Sequence, residues 1–366
     1  IAGRLAALGL SNPRIAGETR PYAIHHNVTY GQWATSTCST CHSEESRLNA
    51  PFTLAAYLPG GVEPTLIHDD ATLSGTLGRA ADGALFYQPD SSAPPTGLYV
   101  LGHDSVAWID LLGMLMFLGV FAGVIAHGGL RYLAARRGAV HQPAATRQVY
   151  MYSVYERQWH WLQTVAIFGL LFTGLVIHRP LMFSMFDFRF VVLVHNALAV
   201  LLVINAALSA FYHLVSGEIR QYLPRPYGFF DQMFAQAKYY LRGIFQGAEH
   251  PFEKTPERKL NPLQQLTYMS ILNLLLPAQI ITGALMWGAQ QWPDITAQLG
   301  GLGFLAPLHT LVAWLFASFI VMHVYLTTTG HTPLANIRAM MLGWDEVETH
   351  SQDMAGEAAA GEGTAS

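Results

Sequence analysis

The sequence predicts an all-α membrane protein, with five transmembrane helices following a small, loop-rich N-terminal domain. Three observations carry that prediction. Only 12% of the 366 residues are charged, against 51% hydrophobic, and an ordinary soluble chain carries about twice that charge. Five apolar segments after residue 105 are each long enough to cross a bilayer. Basic residues crowd into alternate loops between those segments. The net charge of −4, with no clustered basic face, gives no footprint for nucleic acid.

Residues 1–105 are polar and punctuated by turns at Leu58-Pro-Gly-Gly61 and Ser92-Ala-Pro-Pro-Thr96, with no sustained helical period. Both cysteines lie here, in Thr37-Cys-Ser-Thr-Cys-His42. Cys-x-x-Cys-His is the attachment signature of a c-type haem: Cys38 and Cys41 supply the thioethers and His42 the proximal ligand. A zinc site would need further thiolates, and a redox dithiol would sit in a βαβ pattern; neither accompanies the motif. The domain contains no methionine, so the sixth ligand is expected among histidines. His25, His26 and His103 are the leading candidates and His68 a further one, with an open sixth position as the alternative. Covalent haem attachment takes place outside the cytoplasm, so this domain is expected to be exported. Ile1 opens no basic and apolar leader, so a targeting segment is expected to be removed or absent.

The first apolar segment runs from about Val106 to Gly128 and lacks Lys and Arg. The second spans Trp159 to about His178, the third about Phe190 to Leu214. The fourth, about Leu263 to Trp287, contains Pro277, where a kink is expected. The fifth runs from about Phe304 to Leu326. Trp108, Trp159, Trp161, Trp287 and Trp292 sit near segment ends, as an interfacial aromatic belt places them.

The loops at 129–158 and 215–262 together carry twelve Lys and Arg residues; Arg179 and Arg189 are the two between the second and third segments, and 288–303 has none. The positive-inside rule puts the basic loops in the cytoplasm. The N-terminal domain is then extracytoplasmic, in agreement with the haem motif, and the C-terminus cytoplasmic. The expected division is 1–105 haem c domain, 106–130 first span, 131–157 cytoplasmic loop, 158–345 four-helix domain, and 346–366 disordered tail.

Intramembrane histidines are costly and point to function. His309 and His323 lie fourteen residues apart in the fifth segment, nearly four helical turns, so they share a face about 21 Å apart along the axis. Given the topology, His160 opens the second span near the inner face and His195 lies near the outer face of the third. The histidines therefore pair by depth: His195 with His309, and His160 with His323. Each pair comes from two helices, as bis-imidazole ligation of a haem b requires. His178 lies eighteen residues after His160, and His213 eighteen after His195, five whole turns in each case. His178 is thus an alternative to His195, and His213 to His160, although both sit at span ends where interfacial histidines need no ligand role.

Tyr155-Glu-Arg-Gln-Trp-His-Trp161, His195 and the paired histidines of the last span resemble the dihaem cytochrome b subunits of membrane formate dehydrogenases and thiosulfate reductases. The loops His213-Leu-Val-Ser-Gly-Glu-Ile-Arg220, Lys259-Leu-Asn-Pro-Leu-Gln-Gln265 and Thr329-Gly-His-Thr-Pro-Leu-Ala-Asn-Ile-Arg338 are similar as well. The resemblance covers roughly residues 150–345; the haem c domain and first span stand outside it. It implies a four-helix bundle holding two haems b, with a quinone (menaquinone or ubiquinone) beside the cytoplasmic-side haem near His323, Asn261 and Gln264. Leu263 stands where the formate dehydrogenase branch has glycine.

The expected function is a membrane quinone oxidoreductase subunit of the bacterial inner membrane, carrying one haem c and two haems b. Its expected partner is an extracytoplasmic multihaem cytochrome c, iron–sulfur or molybdenum oxidoreductase subunit. His213, Glu218 and His331 are candidate proton-relay residues at the inner face. The alternative is a haem-containing membrane anchor, or a transmembrane electron conduit, without quinone chemistry of its own.

Overall fold

The computed structural model describes residues 2–10, 16–18, 50–58, 65–67, 75–89, 99–138, 146–224, 227–252, 254–289 and 291–348. Cys38, Cys41, His42, His25, His26 and His68 lie outside the described residues. The chain divides into two units, residues 1–103 and 104–366.

In the first unit, α1 (Ala2–Ala7) precedes β1 (Ala16–Glu18), which pairs in parallel with β3 (Thr65–Ile67). β2 (Phe52–Ala55), β5 (Leu85–Pro89) and β4 (Gly75–Arg79) form an antiparallel sheet in that order. The sequence predicts loops here, because strands of three to five residues are too short to show alternation. The β4–β5 hairpin turns at Asp82-Gly83: the Asp82 carboxylate accepts from the Ala84 amide at 3.0 Å, and Gly83 takes φ 88°. Gly78 faces Phe86 across the pair, and a Cβ on Gly78 would lie 2.4 Å from the ring, so the phenyl packs over bare backbone.

In the second unit the five apolar segments are helices: α2 (Ala107–Arg136), α3 (Val154–His178), α4 (Phe188–Ser216), α6 (Pro262–Trp287) and α8 (Gly301–Thr327). Between them lie α5 (Phe229–Leu241) and α7 (Pro293–Gln298). This is a multi-pass membrane protein. Several helices begin before their apolar run because side chains cap them. Ser153 and Glu156 form a reciprocal capping box that starts α3 upstream of Trp159. Asp187 caps α4 by accepting from the Phe190 amide at 2.7 Å. In α6 the break expected at Pro277 is taken up by a π-helical turn, Ile271–Leu275, immediately before it. The wider hydrogen-bond spacing accommodates the donor that proline lacks.

Ala166, Leu202, Leu276, Val312 and Phe316 are buried together, joining α3, α4, α6 and α8 into one bundle. α2 packs on α8 through Gly113, where a Cβ would lie 2.2 Å from Trp314. Its start is tied to the end of α3: Asp110 accepts from His178 at 2.8 Å and from Arg179 at 2.6 Å. The outward faces expose Leu111, Phe121, Phe168, Leu193, Phe211 and Leu274, as helices solvated by lipid do.

Two boundaries differ from expectation. The 131–157 segment contains the last turn of α2, the strand β6 (Thr146–Tyr150) and the first turn of α3. After α9 (Ala335–Leu342), β7 (Trp344–Glu348) pairs antiparallel with β6, so residues 346–348 belong to a strand rather than to a tail. Tyr150 packs against Trp344 across this ladder, with ring centroids 5.2 Å apart. Gly343, at φ 92°, makes the turn into β7, and its carbonyl accepts from the Met151 and Tyr152 amides. Residues 349–366 lie outside the described residues.

Candidate functional site

Two imidazole pairs lie in the bundle, each bridging two helices. His195 of α4 faces His309 of α8 with ring centroids 6.5 Å apart. His160 of α3 faces His323 of α8 at 6.4 Å. One metal ion bound between two imidazoles requires ~6.4 Å, from two bonds of ~2.0 Å and two ring radii of ~1.2 Å. The donor sets therefore fit an iron held on both sides by histidine.

Neighbouring helices hold these rings. Thr173 of α3 meets His195 Nδ1 at 2.8 Å, and Thr282 of α6 meets His309 Nδ1 at 2.9 Å. A glycine follows each threonine: a Cβ on Gly174 would lie 3.5 Å from His195 Cε1, and one on Gly283 would lie 3.2 Å from His309 Cε1. At the other pair, Phe319 stacks on His323 with centroids 5.3 Å apart, and the Tyr268 hydroxyl lies 3.4 Å from His323 Nδ1. His160 Nδ1 is buried with no hydrogen-bond partner among the described residues.

His160 and His323 open into a cavity of about 1380 Å³, above the ~300–1,000 Å³ of ordinary small-molecule pockets. Its far wall is polar. Lys259 donates to Glu156 at 2.6 Å, and both side chains are nearly buried. Lys254 donates to Asp345 at 2.7 Å. Burial pulls the Lys254 pKa down, but Tyr152 and Asp345 outweigh it, so the net displacement is upward and the ammonium is held charged. Burial, assisted by Tyr268, Glu156, Glu218 and Tyr152, pushes the Tyr222 phenol above its ordinary range. Burial likewise raises Tyr240.

Asn261 and Gln264 both line this cavity and also cap α6. The Asn261 side chain accepts from the Gln264 amide at 2.9 Å, and the Gln264 side chain accepts from the Asn261 amide at 3.0 Å. His213 is buried against the same cavity; its Nδ1 donates to the Ser209 carbonyl at 2.7 Å, leaving Nε2 3.4 Å from the Tyr222 hydroxyl. Glu218 lies 3.9 Å from Lys259, and His331 pairs with Glu346 at 2.9 Å. His178 is engaged by Asp110. His127 contacts the Tyr325 hydroxyl and the Tyr240 carbonyl. His103 ends the first unit, its amide donating to the Val100 carbonyl at 3.1 Å. Sequence reasoning missed Glu156, Lys259, Lys254, Asp345 and the two threonines. Glu156 and Lys259 stand inside the motifs already singled out, and Thr-Gly recurs in the second and fourth spans.

Residues 151–343, a region that holds both imidazole pairs and begins just before the capped start of α3, match the family of prokaryotic cytochrome b561. The chain belongs to that family. This cytochrome b561-type protein is also 31% identical over 239 residues to an Escherichia coli (strain K12) protein, YdhU, whose name describes it as a cytochrome. The match covers 65% of this chain and 87% of that relative. No solved structure matches the chain. The family binds haem b, and the imidazole spacings fit such a group. The family match begins after α2 and the first unit.

Proposed function

We propose that this cytochrome is the membrane electron-transfer subunit of a respiratory complex, linking the quinone pool to an extracytoplasmic redox partner. His195 and His309 would hold one haem b, and His160 and His323 the other. Cys38, Cys41 and His42 would hold a haem c on the extracytoplasmic side, with His25, His26 or His103 as sixth ligand. Haem held between two imidazoles supplies one-electron transfer. The observation that carries the reading is the pair of centroid separations, 6.5 and 6.4 Å, in two places on one helix.

The chain's own residues do the rest. The cavity beside His160 and His323 would take a quinone head group, with the Asn261–Gln264 cap at its wall. Tyr222, pushed above its ordinary range, keeps its proton and donates it toward His213 Nε2. Glu218 and His331 line the same cavity and would, with this contact, pass protons between it and the basic loops. The twelve basic residues of the loops at 129–158 and 215–262 support a cytoplasmic position for this end. The partner this arrangement suits is a multihaem cytochrome c, iron–sulfur or molybdenum subunit.

The test is quinol-dependent reduction of the b haems in purified protein. Reduction that is slowed by Asn261→Leu and requires an intact His160/His323 pair is expected. Haem b that never responds to quinol, while remaining reducible by dithionite, would instead leave the protein as an anchor or conduit.

A further inference from the structure

The two threonines beside the His195/His309 pair occupy matching places in two different helices. Thr173 Oγ1 lies 2.7 Å from the Gly169 carbonyl, four residues back, and 2.8 Å from His195 Nδ1. Thr282 Oγ1 lies 2.7 Å from the Ala278 carbonyl, also four residues back, and 2.9 Å from His309 Nδ1. A carbonyl has no proton to give, so each threonine's single hydroxyl proton lies on its carbonyl contact. The hydroxyl oxygen must then accept from the imidazole. Both histidines are therefore held with the proton on Nδ1 and the lone pair on Nε2. The Gln279 side-chain nitrogen, 2.9 Å from His309 Nε2, is a donor meeting that lone pair, the position that iron would take from it. Gly283, after Thr282, lets the His309 ring lie closer to the helix backbone than a side chain there comfortably allows.

The other pair lacks this arrangement. His160 Nδ1 has no partner among the described residues, and the hydroxyl near His323 Nδ1 is at 3.4 Å. A hydrogen bond accepted from the far nitrogen fixes the tautomer and raises the basicity of the ligating one. A more basic ligand favours the ferric state.

We propose that Thr173 and Thr282 are paired positioning residues that present His195 and His309 to iron through Nε2 and lower the potential of that haem relative to the other. The inference rests on the ligand assignment above and adds to it the device that makes the two haems unequal. Thr–Gly followed by a histidine of the next membrane span is then the repeated unit of the bundle, in α3–α4 and again in α6–α8.

The test is a potentiometric titration of the b-type absorbance of the purified protein, with haem content measured in parallel. Thr173→Val and Thr282→Val keep the side-chain shape and remove the acceptor. Each should retain two haems b and raise the potential of one of them, while the other stays in place. The expected change in its reduced-to-oxidised ratio is severalfold, and about 59 mV corresponds to tenfold for one electron. Thr173→Ser and Thr282→Ser should restore the native value and guard against misfolding of the valine variants. Two haems with unmoved potentials in both valine variants would overturn the proposal. His195→Ala and His309→Ala separate it from the ligand assignment: if both keep two haems, the assignment itself fails.

Discussion

Replacing Lys259 by methionine isolates the ion pair that anchors the start of α3. Lys259 and Glu156 meet at 2.6 Å and are only 11% and 12% exposed. Glu156 also accepts from the Ser153 amide at 2.8 Å, closing the capping box one turn before His160. Removing one partner of a buried pair leaves the other charge uncompensated, at a cost of ~3–5 kcal/mol. The slight exposure and the remaining cap bond place Lys259→Met at the lower end, ~3 kcal/mol. A domain of this size loses ~2–4 °C in Tm per kcal/mol, so a fall of ~6–12 °C is expected. Thermal unfolding followed through the b-type absorbance in detergent reads it directly. Glu156→Gln combined with Lys259→Met should recover much of the loss, because the stranded charge is gone. A single variant melting within ~1 °C of the native protein, or a strictly additive double variant, would refute the reasoning.

The remaining predictions follow from other contacts. Gly113→Leu drives a side chain into Trp314 and should separate α2 from α8, lowering stability by the ~1–3 kcal/mol of an overpacked contact and Tm with it; an unchanged melt counts against that interface. Asn261→Ala should destabilise the start of α6 by ~0.5–2 kcal/mol through loss of the cap, in addition to any effect on quinol response. Lys254 has a folded pKa above its ordinary 10.5, so its contribution is fully present below pH 10.5 and lost as pH rises beyond it. Tm should therefore fall more steeply above pH 10.5 in the native protein than in Lys254→Gln, and identical alkaline limbs would remove Lys254 from the account. Cys38→Ser with Cys41→Ser should abolish haem that survives denaturing electrophoresis while leaving the b-type bands; persistence of covalent haem would reject the c-type site.

The spans were legible because long apolar runs have few alternatives, and the proline in α6 announced an irregularity. Their starts were less legible. The first turn of α3 is polar, and a capping box, not hydropathy, begins it. The pairing of the four histidines could be worked out because helical spacing and alternating loop charge are both periodic signals. His178 shared a face with His160, yet whether it reached Asp110 depended on where α2 packed, which no local pattern encodes. The β6–β7 ladder joins residues about two hundred apart, and strands of five residues carry too little alternation to reveal a partner at that range. The threonines beside the ring nitrogens were present in the sequence as a repeated Thr-Gly. Their meaning depended on a contact between neighbouring helices.

The central claim is that α8 carries one ligand of each of two haems. Haem b stoichiometry by pyridine haemochrome, measured on the native protein, His309→Ala and His323→Ala, tests it most directly. Two haems b in the native chain, and loss of a different one in each variant, is the result predicted. Two haems b retained in either variant, with unchanged spectra, would contradict it.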